Sequence, residues 1–272
     1  MKLEDVKSVG VLGAGVMGGG IAQCIIQAGI KTIIRDLSEE ICENSREVIL
    51  NSRFGFNKSV EMGKMSQDQV DAAMSCLSFT TDVQDLAECD VIIEAIGGGL
   101  DGAIENKPLK IKVWGEMDAV VKSEAVFASN TSMFTIADLA DATQRKDQFI
   151  GMHLFSPANI MKLVEVTRTD DTRDDVVELI VALSTAMRKI PIVLKDVPGD
   201  TGFVGNRIMG AVRREAMKIV EEGVATKDDV NTAMTQGFRW PAGPFPDGPN
   251  ARSGWKYINW LEVVPSLEKL LP

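Results

Sequence analysis

VKSVGVLGAGVMGGGIAQCIIQAGIKTIIRD, residues 6–36, decides the fold. It opens with a β-branched run, Val9 to Leu12, and passes into Gly13, Gly15 and Gly18 in G-x-G-x-x-G spacing. A helical pattern follows, then a second apolar run that ends at Asp36. Each part of this strand, glycine turn, helix, strand and acid has a task in holding a dinucleotide. Gly13 permits the tight turn, Gly15 lets the backbone approach a pyrophosphate, and Gly18 lets the helix pack closely on the strand. The N–H groups at the helix start, with the helix dipole, attract the phosphates. Asp36 lies 18 residues beyond Gly18, close to where a carboxylate accepts the ribose hydroxyls. A glycine motif alone is weak evidence, but here both flanks agree with it. A carboxylate at 36 repels a 2′-phosphate, so NAD is expected over NADP; Arg35 is a basic neighbour that could serve a phosphate.

Outward from this unit the βα rhythm continues. Helices are expected over Leu37 to Ile49 with Ser38 as N-cap, Gln67 to Cys76 after Ser66, Leu109 to Val121, Thr135 to Leu139 and Asp174 to Met187. Strands are expected over Leu77 to Thr80, Val91 to Ile96, Ala125 to Ser129, Phe149 to Leu154, Leu163 to Val166 and Pro191 to Leu194. Residues 53–65 are less regular, and the Gly-rich 97–103 stretch reads as a solvated loop. The alternation implies an α/β, Rossmann-type, mostly parallel sheet covered on both faces. The strands at 149–154 and 163–166 are joined too briefly for a helical crossover, so these late strands should be antiparallel. A hairpin centred near residue 159 then sets His153 opposite Glu165. Beyond Asp196-Val197-Pro198-Gly199 no strand returns. Long helices are expected over Gly202 to Gly223 and from Thr226 to Gln236, which divides the chain into a dinucleotide-binding domain, 1–197, and a small all-α domain, 198–272. The stretch from Trp240 to Trp255 is too rich in Pro and Gly to be regular, and a last helix is expected after Pro265.

The 272 residues are 45% hydrophobic and 25% charged, ordinary for a globular chain. A net charge of −10 argues against non-specific binding to nucleic acid or an anionic membrane. No run is long and apolar enough to span a bilayer and no leader pattern stands at the start, so a cytoplasmic protein is expected. The four cysteines match no zinc spacing, so no metal is expected and the thiols should be reduced.

In an open parallel sheet, ligands bind at the carboxyl ends of the strands. Asp36, Glu94, the 129–132 turn and His153 stand at such ends. His153, the chain's one histidine, is in that position a candidate general base, with Glu165 as the acid that orients it. Ser132 and Asn206 could bond a substrate oxygen; on the residues alone, Ser132 reads equally as a turn serine and Asn206 as a solvated helix residue.

These residues sit in segments that resemble the L-3-hydroxyacyl-CoA dehydrogenases: VGVLGAGVMGGGIAQ (9–23), VIIEAI (91–96), FASNTS (127–132), GMHLFSPANIMKLVEV (151–166), PGDTGFVGNRI (198–208) and GFRWPAGPF (237–245). The resemblance runs to about residue 245 and implies NAD-dependent, reversible oxidation of an (S)-3-hydroxyacyl-CoA. It implies His153 and Glu165 as the catalytic pair, with Ser132 and Asn206 beside the substrate. It sets NAD against Gly13, Gly15, Val16, Met17, Gly18, Asp36, Glu105, Lys110, Asn130 and Ser132. It also implies a homodimer through the C-terminal domain. Arg53, Lys58 and Lys64 are open between contacts to CoA phosphates and solvated surface charges. Ser156 stands where the family usually has Asn, and PGDTGFVGNR is longer than the family's usual run. After GPF the usual helix is replaced by PDGPNARSGW. Two rival readings are a dehydrogenase of free hydroxy acids, of carnitine or gulonate type, and an NAD-binding homologue without turnover, as among lens crystallins. MKLVEV argues against the first, and the joint presence of His153, Glu165, Ser132 and Asn206 against the second.

Overall fold

The computed structural model describes residues 1–97 and 105–245. The strands are β1 (Ser8–Leu12), β2 (Lys31–Arg35), β3 (Leu77–Thr80), β4 (Val91–Glu94), β5 (Val126–Ser129), β6 (Phe149–Leu154), β7 (Leu163–Arg168) and β8 (Ile190–Lys195). They form one sheet in the order β3-β2-β1-β4-β5-β6-β7-β8. The first six are parallel, and their order is that of the doubly wound dinucleotide fold. β7 is antiparallel to β6, and β8 returns parallel to β7.

The first unit's helices are α1 (Val16–Gln27), α2 (Glu39–Asn51), α3 (Phe56–Glu61), α4 (Gln67–Met74), α5 (Lys107–Val120), α6 (Ile136–Ala140) and α7 (Asp174–Ala186). Ser38 caps α2 by accepting from the Ile41 N–H, and Ser66 exchanges bonds with Gln69 at the start of α4. A serine oxygen there satisfies an N–H that the helix itself cannot. α3 occupies part of the 53–65 stretch that the sequence left irregular.

Strand alternation sorts the sheet into two faces. On one, Val11, Ile93, Ala128, Met152 and Val166 pack with Ile21 and Ile25 of α1 and Ile180 of α7. On the other, Trp114 of α5 stacks on Phe127 and meets Phe149 edge-on, with ring centroids 4.9 and 4.8 Å apart. The register sets Glu94 beside Ser129, Ser129 beside Gly151, and His153 opposite Glu165. The hairpin geometry expected from loop length is therefore the one observed. Glu94, Ser129, His153 and Glu165 share the Phe127 face.

Two compact units divide at Gly199 and Asp200. The second holds α8 (Gly205–Glu221) and α9 (Lys227–Thr232), the latter capped by Thr226. α8 starts three residues later than expected, because Gly199, Asp200 and Gly202 have φ of 117°, 49° and 70°, which a right-handed helix excludes. α9 stops at Thr232 and passes into a π-turn, Ala233–Gly237, rather than running on as an α-helix to Gln236. The loop expected at 97–103, apart from Gly97, and the helix expected after Pro265 lie outside the described residues.

Candidate active site

The nucleotide end of the site follows from the glycine turn. Gly13 has φ 97°, and a Cβ there would lie 2.9 Å from the Ala95 carbonyl oxygen. A Cβ on Gly18 would lie 1.7 Å from the Gly13 oxygen, so α1 can approach β1 only with glycine at 18. Gly15 is the N-cap of α1, and a Cβ there would meet nothing within 4 Å. Val16 and Met17 form the first turn, which carries no acid, so its N–H groups and dipole face an anion without competition. Asp36 closes this end: its Oδ2 accepts from the Ala14 N–H at 2.6 Å and its Oδ1 from the Leu37 N–H at 2.7 Å. The acid thus ties the end of β2 to the turn. Open space over Gly15, an acid-free helix start and Asp36 fit NAD.

The chemical end lies at the carboxyl edge of β6. His153 Nδ1 is 2.7 Å from Glu165 Oε2, with the side chains 6% and 0% exposed. A carboxylate can only accept, so Nδ1 carries the proton and donates. Nε2 is then the ring atom that would exchange a proton with a substrate. Phe155 packs on the imidazole with ring centroids 4.5 Å apart.

A second polar cluster stands at the ends of β4 and β5. Glu94 is fully buried; it accepts from the Ile96 N–H at 2.7 Å, Ser129 Oγ at 2.7 Å and Lys110 Nζ at 2.5 Å. Glu105 accepts from Thr131 Oγ1 at 2.6 Å, from the Ser132 N–H at 2.7 Å and from the Ser132 hydroxyl. Lys110 Nζ lies 3.4 Å from Glu105. Burial works against both charges, pushing the Glu105 carboxyl up and the Lys110 ammonium down. For Glu105 the Lys110 charge and the hydrogen bonds of Ser132 and Thr131 outweigh it, and for Lys110 the charges of Glu94 and Glu105 do, so Glu105 is held below its ordinary range and Lys110 above.

The structure brings Glu105, Lys110 and Ser132 into this one cluster. Asn130 binds elsewhere: its Oδ1 accepts from the Leu154 N–H at 2.8 Å and so joins the end of β5 to the residue after His153. Arg53, Lys58 and Lys64 are all exposed; Arg53 lies over the Phe54 ring and Lys58 pairs with Glu61 at 2.7 Å. Asn206 occupies the first turn of α8, in the second unit.

The sequence profile described as "3-hydroxyacyl-CoA dehydrogenase, NAD binding domain" matches residues 8–197, and that of the "3-hydroxyacyl-CoA dehydrogenase, C-terminal domain" matches residues 202–246. The chain belongs to the 3-hydroxyacyl-CoA dehydrogenase family. It is 38% identical over 235 residues to a probable 3-hydroxybutyryl-CoA dehydrogenase of Deinococcus radiodurans, covering 86% of this chain and 80% of that one. It is 37% identical over 243 residues to the mitochondrial hydroxyacyl-coenzyme A dehydrogenase of Mus musculus, covering 88% and 74%. Its fold matches an (S)-3-hydroxybutyryl-CoA dehydrogenase of Ralstonia eutropha with a TM-score of 0.80 at 33% identity, covering 88% and 80%.

In this 3-hydroxyacyl-CoA dehydrogenase, sequence reasoning placed Glu94 and the 129–132 turn at strand ends but paired neither Glu94 nor Ser129 with a partner. Both lie in strands buried on both sides, where a polar residue has no alternation to mark it. No described helix is long and apolar enough to cross a membrane, and the described residues hold no cluster suited to a metal ion.

Proposed function

We propose that this chain oxidises an (S)-3-hydroxyacyl-CoA to the 3-oxoacyl-CoA, reversibly, with His153 as general base and Glu165 as its orienting acid. The observation that carries the reading is the buried 2.7 Å bond between them at the ligand-side end of the sheet. NAD, when bound, would supply the acceptor for the C3 hydride. Gly13, Gly15, Gly18 and the first turn of α1 hold its phosphates, and Asp36 its ribose hydroxyls. His153 Nε2 takes the proton of the 3-hydroxyl as C3 becomes a carbonyl. Glu165 fixes the tautomer that leaves Nε2 basic and stabilises the imidazolium once it forms. In reduction the protonated ring returns that proton. Ser132, anchored on Glu105, bonds a substrate oxygen, and the family resemblance supports the same role for Asn206. Arg53, Lys58 and Lys64 supply cations for the CoA phosphates of an otherwise acidic chain. The family resemblance supports a homodimer through the C-terminal domain, which sedimentation tests.

The test is NADH absorbance with acetoacetyl-CoA against free acetoacetate. Turnover of the thioester, with the free acid at least about 100-fold poorer, is expected. Loss of about 10²–10⁴ in kcat for His153→Gln is the expected worth of a positioned base. NAD binding should be kept, because the glycine turn and Asp36 are untouched. Equal turnover of the free acid refutes the CoA assignment, and a His153→Gln protein keeping more than about a tenth of kcat refutes the base.

A further inference from the structure

Gln23 lies among the buried apolar residues of α1, with 4% of its surface exposed. A buried amide costs stability unless both of its ends are bonded. Here both ends join other parts of the chain. Gln23 Oε1 accepts from Asn159 Nδ2 at 2.7 Å, and Gln23 Nε2 donates to the Phe54 carbonyl at 3.2 Å. Asn159 Nδ2 donates to that same carbonyl at 2.8 Å. Both lone pairs of the Phe54 oxygen are thus taken by side chains from distant segments. Apolar side chains of the same shape could join these segments at little cost, so a triangle of directional bonds points to placement.

Each corner of the triangle leads to part of the site. Asn159 belongs to the connection between β6 and β7, which leaves His153 by way of Phe155, the ring packed on the imidazole. That connection has a fixed base. Lys189, 7% exposed, donates to the Ala158 and Met161 carbonyls at 2.5 and 2.9 Å. On α1, a Cβ at Gly20 would lie 3.1 Å from Ala158 Cβ, so helix and connection are in close contact. At the other corner, Phe54 lies in the turn 52–55, closed by the Gly55 N–H on the Ser52 carbonyl at 2.8 Å. The Arg53 guanidinium rests over the Phe54 ring, 5.3 Å from its centroid. Holding the Phe54 backbone therefore holds the support of Arg53.

We propose that Asn159, with Gln23, is a positioning residue that sets substrate specificity: it fixes the turn carrying Arg53 relative to His153, so that the phosphates of CoA and the 3-hydroxyl are engaged together. This rests on the reading of Arg53 as a cation for CoA phosphates. Contacts to that remote part of the substrate then help to place its reacting end.

The test compares acetoacetyl-CoA with S-acetoacetylpantetheine, which keeps the pantetheine arm and lacks every phosphate. NADH oxidation is followed at saturating NADH, and the readout is the ratio of kcat/KM for the two thioesters. Asn159→Ala should lower this ratio by about 5- to 30-fold, part of the worth of one charge-assisted contact. Arg53→Ala should lower it by about tenfold or more. In the Arg53→Ala background Asn159→Ala should lower it less than about threefold further, because its effect passes through Arg53.

A residue that serves stability alone would slow both thioesters alike and leave the ratio unchanged, and that result for Asn159→Ala overturns the proposal. So does a loss in the double variant that multiplies the two single losses. If Asn159→Ala does not fold, Gln23→Met takes its place: it removes two sides of the triangle at equal length, and an unchanged ratio overturns the proposal. If Arg53→Ala leaves the ratio unchanged, the reading of Arg53 fails first and takes this proposal with it. If Arg53→Ala lowers the ratio and Asn159→Ala does not, the proposal alone fails.

Discussion

Glu165→Gln isolates one charge while keeping the shape of the side chain. Glu165 is fully buried and its Oε2 lies 2.7 Å from His153 Nδ1. An amide oxygen can still accept from Nδ1, so ring orientation and tautomer survive. What is lost is the charge that faces the imidazolium when His153 holds the substrate proton. Two unit charges about 4 Å apart at an effective dielectric of about 20 attract by ~4 kcal/mol. The neutral hydrogen bond keeps part of this, leaving a loss of about 2–4 kcal/mol, or roughly 30- to 1000-fold in rate. The loss should appear in kcat with little change in KM, because the charge matters once the ring is protonated and little while it is neutral. Stopped-flow NADH formation reads this, with substrate deuterated at C3 to establish that hydride transfer limits the rate. A substitution cannot alter the overall equilibrium, so kcat/KM for reduction at the same pH should fall by the same factor. A hydride-transfer rate within about threefold of the unmutated protein would show that Glu165 contributes no charge to the reaction, and the base–acid pairing would have to be abandoned.

Gly18→Ala should abolish tight NAD binding, because its Cβ would lie 1.7 Å from the Gly13 oxygen and the turn must open. The overpacking should cost about 1–3 kcal/mol, read as a fall of several degrees in Tm, and a protein with unchanged Kd for NAD would refute the reading of that turn. Asp36→Ala should weaken NAD by about 1.5–3 kcal/mol for each charge-assisted bond lost, and narrow the preference over NADP. Equal kcat/KM for NAD and NADP in the unmutated protein would refute that assignment. Asp90 predicts a pH effect on stability. Burial pushes its carboxyl up, but Lys122 at 2.7 Å and the N–H groups of Ser8 and Lys7 outweigh burial and hold it below the ordinary range. Its contribution is therefore complete above the unfolded carboxyl's value of about 3.9 and is lost as pH falls through the lower folded value. The gap in urea midpoint between the unmutated chain and Asp90→Asn should be widest near neutrality and close in acid; a gap constant with pH would refute the account.

The Rossmann half was legible because each of its signals is local. A β-branched run, glycines at fixed spacing and a strand-terminal acid lie within 6–36, and Gly13 and Gly18 are tied to backbone geometry and packing that other residues cannot adopt. The facing of His153 and Glu165 was legible for another reason: a connection too short for a crossover forces antiparallel pairing, and loop length then fixes register. Helix limits were less legible. α8 begins at Gly205 because Gly199, Asp200 and Gly202 adopt positive φ, and Asp200 with φ 49° carries no mark of this in its composition. The short α3 was hidden because it buries mainly Phe56 and offers too few turns for an apolar stripe to show.

The cluster around Lys110 was unreadable one residue at a time, yet the chain does carry a joint signal for it. In LKIKVWGEMDAVV, residues 109–121, the buried positions are Lys110, Trp114, Met117 and Val121, spaced four, three and four apart. That is one face of a helix, so the lysine sits on the same stripe as the tryptophan. A lysine on an apolar face needs an anion inside the protein, since leaving it unpaired would cost more than the fold can bear. VIIE supplies that anion, a glutamate closing a strand otherwise made of apolar residues. Each residue alone resembles a surface charge. Taken together, helix period and strand burial require the two charges to meet, and they meet beside the turn that carries Ser132. Lys112, two positions away, is exposed and pairs with Glu116 at 3.7 Å on the opposite side of the helix, as the same period demands.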